Sequence, residues 1–187
     1  ALPLITDYEL VLDLGRQILC SKLEKKFALQ VFERGQQLAW QAFDACKHPS
    51  AALTILFKFC RRASNDFQMS GTVISTWARL TNAQKSWLWS ERDDYWHYLE
   101  LVFRGYRDLN RFAEAAQFIV PFLNDSATPP NGCAILGIAL ASLKRLQGDF
   151  PAMFSIYRKM IQSAPTHEWT GSAYYWFGLQ AWKQGDA

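Results

Sequence analysis

Histidine and cysteine side chains are the residues of this chain best suited to metal or nucleophilic chemistry. The histidines are His48, His97 and His167, and no C-x-x-C pair occurs. Cys46, His48 and Cys60 match no common zinc spacing and supply fewer ligands than a tetrahedral structural site needs. A nucleophile pair made of Cys60 and His97 has no local sequence support. We therefore expect neither a metal site nor catalytic residues.

A short acidic run is the other candidate for enzymatic chemistry. Glu91, Asp93 and Asp94 could act as paired carboxylates, but they lie where a helix is expected to start. Negative charge at that position stabilises the helix dipole, which is the simpler interpretation. The sequence also has no glycine-rich phosphate loop. We expect a protein that is not an enzyme and that uses no cofactor.

A basic run raises the possibility of nucleic-acid binding. Lys58, Arg61 and Arg62 lie close together, and residues 69–80 vaguely resemble the turn and second helix of a helix-turn-helix. The formal net charge is only +3, whereas nucleic-acid binders usually carry a concentrated basic footprint. Basic residues near a helix end also interact favourably with its dipole. We expect no direct nucleic-acid contact.

The composition indicates a folded protein in a reducing compartment. Of the 187 residues, 50% are hydrophobic, and 13 Phe, 8 Trp and 7 Tyr make the chain rich in large rings. No apolar run is long enough for a membrane span, and the first ten residues lack the pattern of a signal peptide. Four scattered cysteines favour reduced thiols over disulfides. The sequence therefore predicts a soluble, cytoplasmic protein.

Apolar residues recur at helical spacing along nearly the whole chain, which predicts an all-α fold. In the first half, helices are expected at roughly 7–20, 24–46, 50–63 and 71–80. Thr81 and Gln84 have the spacing of a capping box that opens a further helix. In the second half, the expected helices include 92–108, 133–146 and 171–183.

The second half contains an internal repeat with an offset of thirty-eight residues. The first apolar stripe consists of Phe112, Ala115, Ala116, Ile119, Phe122 and Leu123. The second stripe, at the same steps, consists of Phe150, Met153, Phe154, Tyr157, Met160 and Ile161. Each stripe follows a turn, DLNRF at 108–112 and LQGDF at 146–150, and the similar KQGDA lies at 183–187. The repeated unit is therefore predicted to be helix, tight turn, helix.

Turn chemistry explains the match between the repeats. Gly148 and Gly185 can adopt the left-handed backbone that ends one helix, and Asn110 can do so in the earliest copy. Asp149 can then cap the following helix. Pro165 should end the second unit, and Pro121 should kink or end the helix that contains it.

These residues resemble the tetratricopeptide repeat, most clearly over 92–187. Gly148-Asp149-Phe150 resembles the family's turn, and Tyr174 with Phe177-Gly178 resembles its first-helix motif. The resemblance implies antiparallel helical hairpins stacked as an α-solenoid. It gives one domain over 1–187, in which 1–91 forms divergent hairpins, 92–187 forms repeats, and the last repeat is incomplete. Either the native protein is longer, or a partner covers the last helix.

The resemblance also implies that the first helices of the hairpins line a concave groove. Transferring that face by register gives a predicted groove that changes from charged and net basic, on the helix at 92–108, to aromatic. Its residues are His97, Glu100, Arg104, Arg107, Ile138, Ser142, Arg145, Tyr175, Leu179 and Trp182.

The expected function is a non-catalytic interaction scaffold or adaptor that binds a peptide or helical segment of another protein in this groove. Two alternatives stay open. One is a regulatory domain of a bacterial transcription regulator that binds an effector or partner, and the other is a secretion-type tetratricopeptide chaperone. The five large rings between Tyr174 and Trp182 cannot all face one neighbouring unit. We therefore also expect possible self-association through the C-terminal helix.

Overall fold

The computed structural model describes residues 7–21, 25–90 and 92–184, and within these residues the fold is all-α, as predicted. Ten α-helices and one short 3-10 helix are present in the described ranges, with no strand. The α-helices are α1 Tyr8–Cys20, α2 Lys25–Asp44, α3 Pro49–Asn65, α4 Ser70–Arg79, α5 Asn82–Trp89, α6 Arg92–Asp108, α7 Phe112–Asn124, α8 Pro130–Leu146, α9 Phe150–Ser163 and α10 Gly171–Gln184. The 3-10 helix, Glu168–Thr170, directly precedes α10.

The predicted helix positions agree with the structure to within a few residues. The capping box at the start of α5 is confirmed, because both of its hydrogen bonds are formed. The backbone N–H of Gln84 donates to Thr81 Oγ1 at 3.2 Å, and the backbone N–H of Thr81 donates to Gln84 Oε1 at 2.9 Å. These bonds satisfy two donors that the first turn of a helix would otherwise leave without partners.

The chain forms two compact units, Ala1–Asp94 and Tyr95–Ala187, which we call the first and second units. In the first unit, α1 packs closely on α2, since a Cβ added at Gly35 would lie 2.7 Å from the side chain of Leu12. Phe32 and Phe59 stack with ring centroids 5.7 Å apart and join α2 to α3. This core contains buried apolar residues from at least these three helices.

The second unit contains every residue of the predicted groove. Its centre is the packing of α8 on α9, where Gly137 lies so close to Met160 that an added Cβ would be 2.6 Å from that side chain. A buried cluster extends from Ala141 through Tyr157 to Ala173 and thereby ties α10 to the hairpin. Neighbouring helices therefore pack in sequence along this unit, an arrangement compatible with a helical repeat.

The two turns of the repeat have the same backbone structure. Gly148 has φ +73° and Asn110 has φ +58°, so both adopt the left-handed conformation predicted for them. In each turn, the backbone N–H of the next residue donates a hydrogen bond to the carbonyl oxygen five residues earlier. Asp149 donates to Lys144 O and Arg111 donates to Tyr106 O, at 2.9 Å in both cases. This pair of features defines a glycine-type helix stop. The predicted third turn, with Gly185, lies outside the described residues.

Three further predictions concerned the second helices of the hairpins. Asp149 caps α9 as expected, because its carboxylate accepts a hydrogen bond from the backbone N–H of Ala152 at 3.2 Å. Helix α9 ends at Ser163, just before Pro165. Pro121 does not end α7, which continues to Asn124.

Candidate functional site

The charged part of the predicted groove forms one cluster on α6. Glu100 and Arg104 are one helical turn apart, and Arg104 Nε lies 3.2 Å from Glu100 Oε1. Arg107 pairs instead with its neighbour Asp108, with 2.8 Å between Nη2 and Oδ1. This face of α6 was predicted from the sequence to be net basic, but in the structure both arginines are paired with carboxylates. This part of the groove is therefore a network of opposite charges.

Glu100 is the most buried ionisable residue of that cluster, since its side chain is only 19% exposed. Burial raises the pKa of the Glu100 carboxyl, although Arg104, Arg107 and His97 act in the opposite direction. Desolvation of the carboxylate therefore outweighs the attraction of three nearby basic groups. The Glu100 carboxylate is therefore a poorly solvated hydrogen-bond acceptor with basic side chains nearby.

The part of the groove on α8 is linked to α10 by a cation–π contact. The Arg145 guanidinium carbon lies 5.4 Å from the ring centroid of Trp176. Ile138 is half-buried and packs against the same cluster as Trp176, while Ser142 is also half-buried. The structure thus places Arg145 of the predicted groove beside an aromatic ring of α10.

The aromatic end of the predicted groove is open to solvent. Tyr175 is 65% exposed and Trp182 is 67% exposed, whereas Ala173 on the opposite side of α10 is fully buried. Leu179 lies between the two rings in sequence and is half-buried. A helix places residues i, i+4 and i+7 on one side, so these three side chains share a face.

Beside that face is a recess of about 330 Å³ between α9 and α10. Its lining residues, which define the α9–α10 recess, are Phe150, Phe154, Trp176, Leu179, Gln180 and Lys183. Three of these six residues are aromatic. Phe154 also contacts Phe177 behind it, with ring centroids 5.1 Å apart. Leu179 therefore faces this recess, which the sequence register alone did not predict.

A second concavity, of about 380 Å³, lies between α7, α8 and α9 and was not predicted from the sequence. Val120, Leu123, Gly137 and Ile156 contribute apolar surface to it, and Lys159 lies at its edge. Cys133 also lines this cleft, and burial raises the pKa of its thiol, which disfavours the reactive thiolate.

A polar network supports the start of α10 near the groove. The backbone N–H of Trp169 donates to His167 Nδ1 at 3.2 Å, while His167 Nε2 lies 2.8 Å from Asn131 Oδ1. Nδ1 is therefore the acceptor and Nε2 carries the proton. The Trp169 ring lies 6.2 Å from the ring of His97, the first residue of the predicted groove. His167 thus has a structural role.

Three of the residues considered for enzymatic or nucleic-acid chemistry are either buried in the core or paired with acidic residues. Cys60 is fully buried in α3. Lys58 pairs with Glu9 at 3.0 Å, and Arg62 contacts Asp13 of α1 at 2.5 Å. The basic run therefore joins α3 to α1. No group of three or more potential metal ligands occurs within the part of the chain that the structure describes.

Glu91 and the side chain of Asp93, from the acidic run, lie outside the described residues, whereas Asp94 is exposed on α6. None of the helices, over their described residues, is both long and apolar enough to cross a membrane.

Comparison with protein-family models, with curated proteins and with solved structures gives no match for this chain.

Proposed function

We propose that the chain is a non-catalytic interaction module whose second unit is a tetratricopeptide-like stack of helical hairpins. In this proposal the predicted groove binds a peptide or helical segment of another protein. Its charged end, around Arg104 and Arg107, contributes polar contacts, and its aromatic end contributes apolar contacts. The likeness of the turns at Asn110 and Gly148 supports the repeat, and the order of helix contacts is compatible with it.

The exposure of Tyr175 and Trp182 is the observation that carries the proposal. A large aromatic side chain can bury about 150–250 Å². Two such rings left in solvent approach the size of the largest apolar patches on soluble monomers, which are often functional. Tyrosine and tryptophan are also the residue types enriched at protein interfaces.

Partner capture with matched variants tests the proposal. We expect the double variant Tyr175→Ser/Trp182→Ser to lose partners that the original chain retains. Leu109→Ser is the control, because Leu109 is also an exposed apolar residue but lies in the turn between α6 and α7. Equal recovery of every partner by the original chain and the double variant would count against the proposed surface.

The charged end has its own test. Exchanging Arg104 and Arg107 for Glu should weaken an acidic partner, and the difference should shrink as the salt concentration rises, because charge contacts mainly accelerate association and are screened by ions. A salt-independent effect would instead indicate loss of packing around Glu100.

A further inference from the structure

We infer that the α9–α10 recess binds an acidic amphipathic helix of another protein. This inference rests on the proposed function, since it names the class of partner for the aromatic end of the same surface. Three observations support it: the position of the recess in the repeat, the cations around it, and their lack of carboxylate partners among the described residues.

The repeat indicates that the occupant is a helix. Each of the six recess residues lies thirty-eight positions after a residue of α7 or α8, and Leu179 corresponds to Ala141 in this way. Ala141 is fully buried in a cluster with Met153 and Tyr157 of α9. In the preceding repeat, therefore, a helix with an apolar stripe covers the position that corresponds to Leu179. The recess continues that helix-to-helix interface by one repeat.

The charges around the recess indicate that the occupant is acidic. Lys183 lines the recess, and Arg145 lies over the ring of Trp176, which also lines it. No carboxylate among the described residues lies within ion-pair distance of these two cations. Of the other described cations of the second unit, Arg104, Arg107, Arg111 and Lys144 each pair with an acidic residue, whereas Arg158 and Lys159 form no ion pair with a described carboxylate.

The same charges disfavour a second copy of the chain as the occupant. A two-fold dimer would bring the surroundings of one recess against the same surroundings in the other copy. Arg145 and Lys183 would then approach their counterparts in the other copy, and like charges across an interface are destabilising. A helix that carries Asp or Glu beside an apolar stripe satisfies both the apolar walls and the cations.

The length of the recess sets the length of the helix. Trp176 and Lys183 lie two turns apart on α10, which corresponds to about 10 Å along the helix axis. An occupant of three to four turns would cover this surface and place carboxylates near its ends. Such a segment needs apolar residues at steps such as 0, 3, 4 and 7.

Two synthetic peptides provide the test with the full chain. Both have the sequence of α9, Phe150–Ser163. One carries Glu and the other Lys at the exposed positions 155, 158, 159 and 162. Binding of each fluorescently labelled peptide is measured by anisotropy at low and high salt. We expect the Glu peptide to bind at least about tenfold more tightly at low salt, and the difference to shrink at high salt.

Variants of the chain locate the binding site. Arg145→Glu and Lys183→Glu should each weaken the Glu peptide by about three- to tenfold at low salt, because each replaces an attraction by a repulsion. Lys159→Glu is the matched control, since Lys159 is an exposed cation on α9 that lies at the other cleft. Leu179→Asp should abolish binding, and circular dichroism would establish that this variant remains folded. The two charge variants are on the surface and decide the test if Leu179→Asp does not fold.

The outcomes separate this inference from the proposed function. Equal binding of the two peptides would overturn the inference that the occupant is an acidic helix. Binding of the Glu peptide that is unchanged by Arg145→Glu and Lys183→Glu would overturn it as well. If the Tyr175→Ser/Trp182→Ser variant still loses its partners in that case, the proposed function stands and only the partner class is wrong. A dimer of the chain that Leu179→Asp disperses would assign the recess to a second copy and would also overturn the inference.

Discussion

Replacing Gly148 tests the register of the repeat through backbone conformation alone. The residue has φ +73°, and a Cβ added there would meet no atom within 4 Å. A substitution therefore causes no clash, and its cost comes from forcing an L residue into the left-handed region. That conformation costs roughly 1–2 kcal/mol for ordinary residues, and more for a β-branched one. We expect Gly148→Val to lower the free energy of unfolding by about 1–3 kcal/mol.

Two further variants isolate this effect. Gly171 also has open space around it but has φ −52°, so Gly171→Val should change the unfolding free energy by less than about 0.5 kcal/mol. Gly148→Asn should be the mildest change at Gly148, because Asn110 adopts φ +58° in the equivalent turn. Urea unfolding followed by circular dichroism measures all three. Equal stability of Gly148→Val and Gly171→Val would refute the assignment of the turn.

Four other variants test packing, charge and exposure. Trp182→Ala should leave the free energy of unfolding within about 0.5 kcal/mol of the original value, whereas Trp96→Ala, in the buried core, should lower it by about 3–5 kcal/mol; thermal and urea unfolding compare them. Gly132→Val should destabilise more than Gly171→Val, because its Cβ would lie 2.6 Å from the Trp96 ring. Because burial raises the pKa of Glu100 in the folded state, stability is lost as pH rises through that pKa. The Glu100→Gln variant should therefore be more stable than the original chain at neutral pH and lose this advantage in acid. Unfolding of both chains at a series of pH values measures the difference. Parallel plots of unfolding free energy against pH would contradict the prediction.

Local sequence signals were sufficient to predict the helices and turns. A capping box needs only two residues three apart, so Thr81 and Gln84 identify the start of α5 without tertiary information. The left-handed turns at Asn110 and Gly148 follow from residue type, because glycine and asparagine tolerate that conformation best. Asn110 and Gly148 are also thirty-eight residues apart, so the repeat in the sequence predicted the two turns at equivalent positions.

Contacts between helices could not be predicted in the same way. The register placed Leu179 on the predicted groove, but only the packing of α10 on α9 shows that it faces a recess with Phe154. The contact of Arg145 with Trp176 also depends on how two hairpins pack. Similarly, sequence spacing suggested a net basic face on α6, whereas the pairing of Arg104 with Glu100 depends on side-chain orientation.

Site-directed photo-crosslinking at Trp182 tests the central claim, that the exposed face of α10 contacts another protein. A photoreactive benzoylphenylalanine replaces Trp182 in one chain and the exposed Leu109 in a control chain. We expect a discrete crosslinked product from position 182 and none from position 109, and we expect the first product to be lost when Tyr175 is also changed to Ser. No crosslinked product at 182, or the same products from both positions, would contradict it.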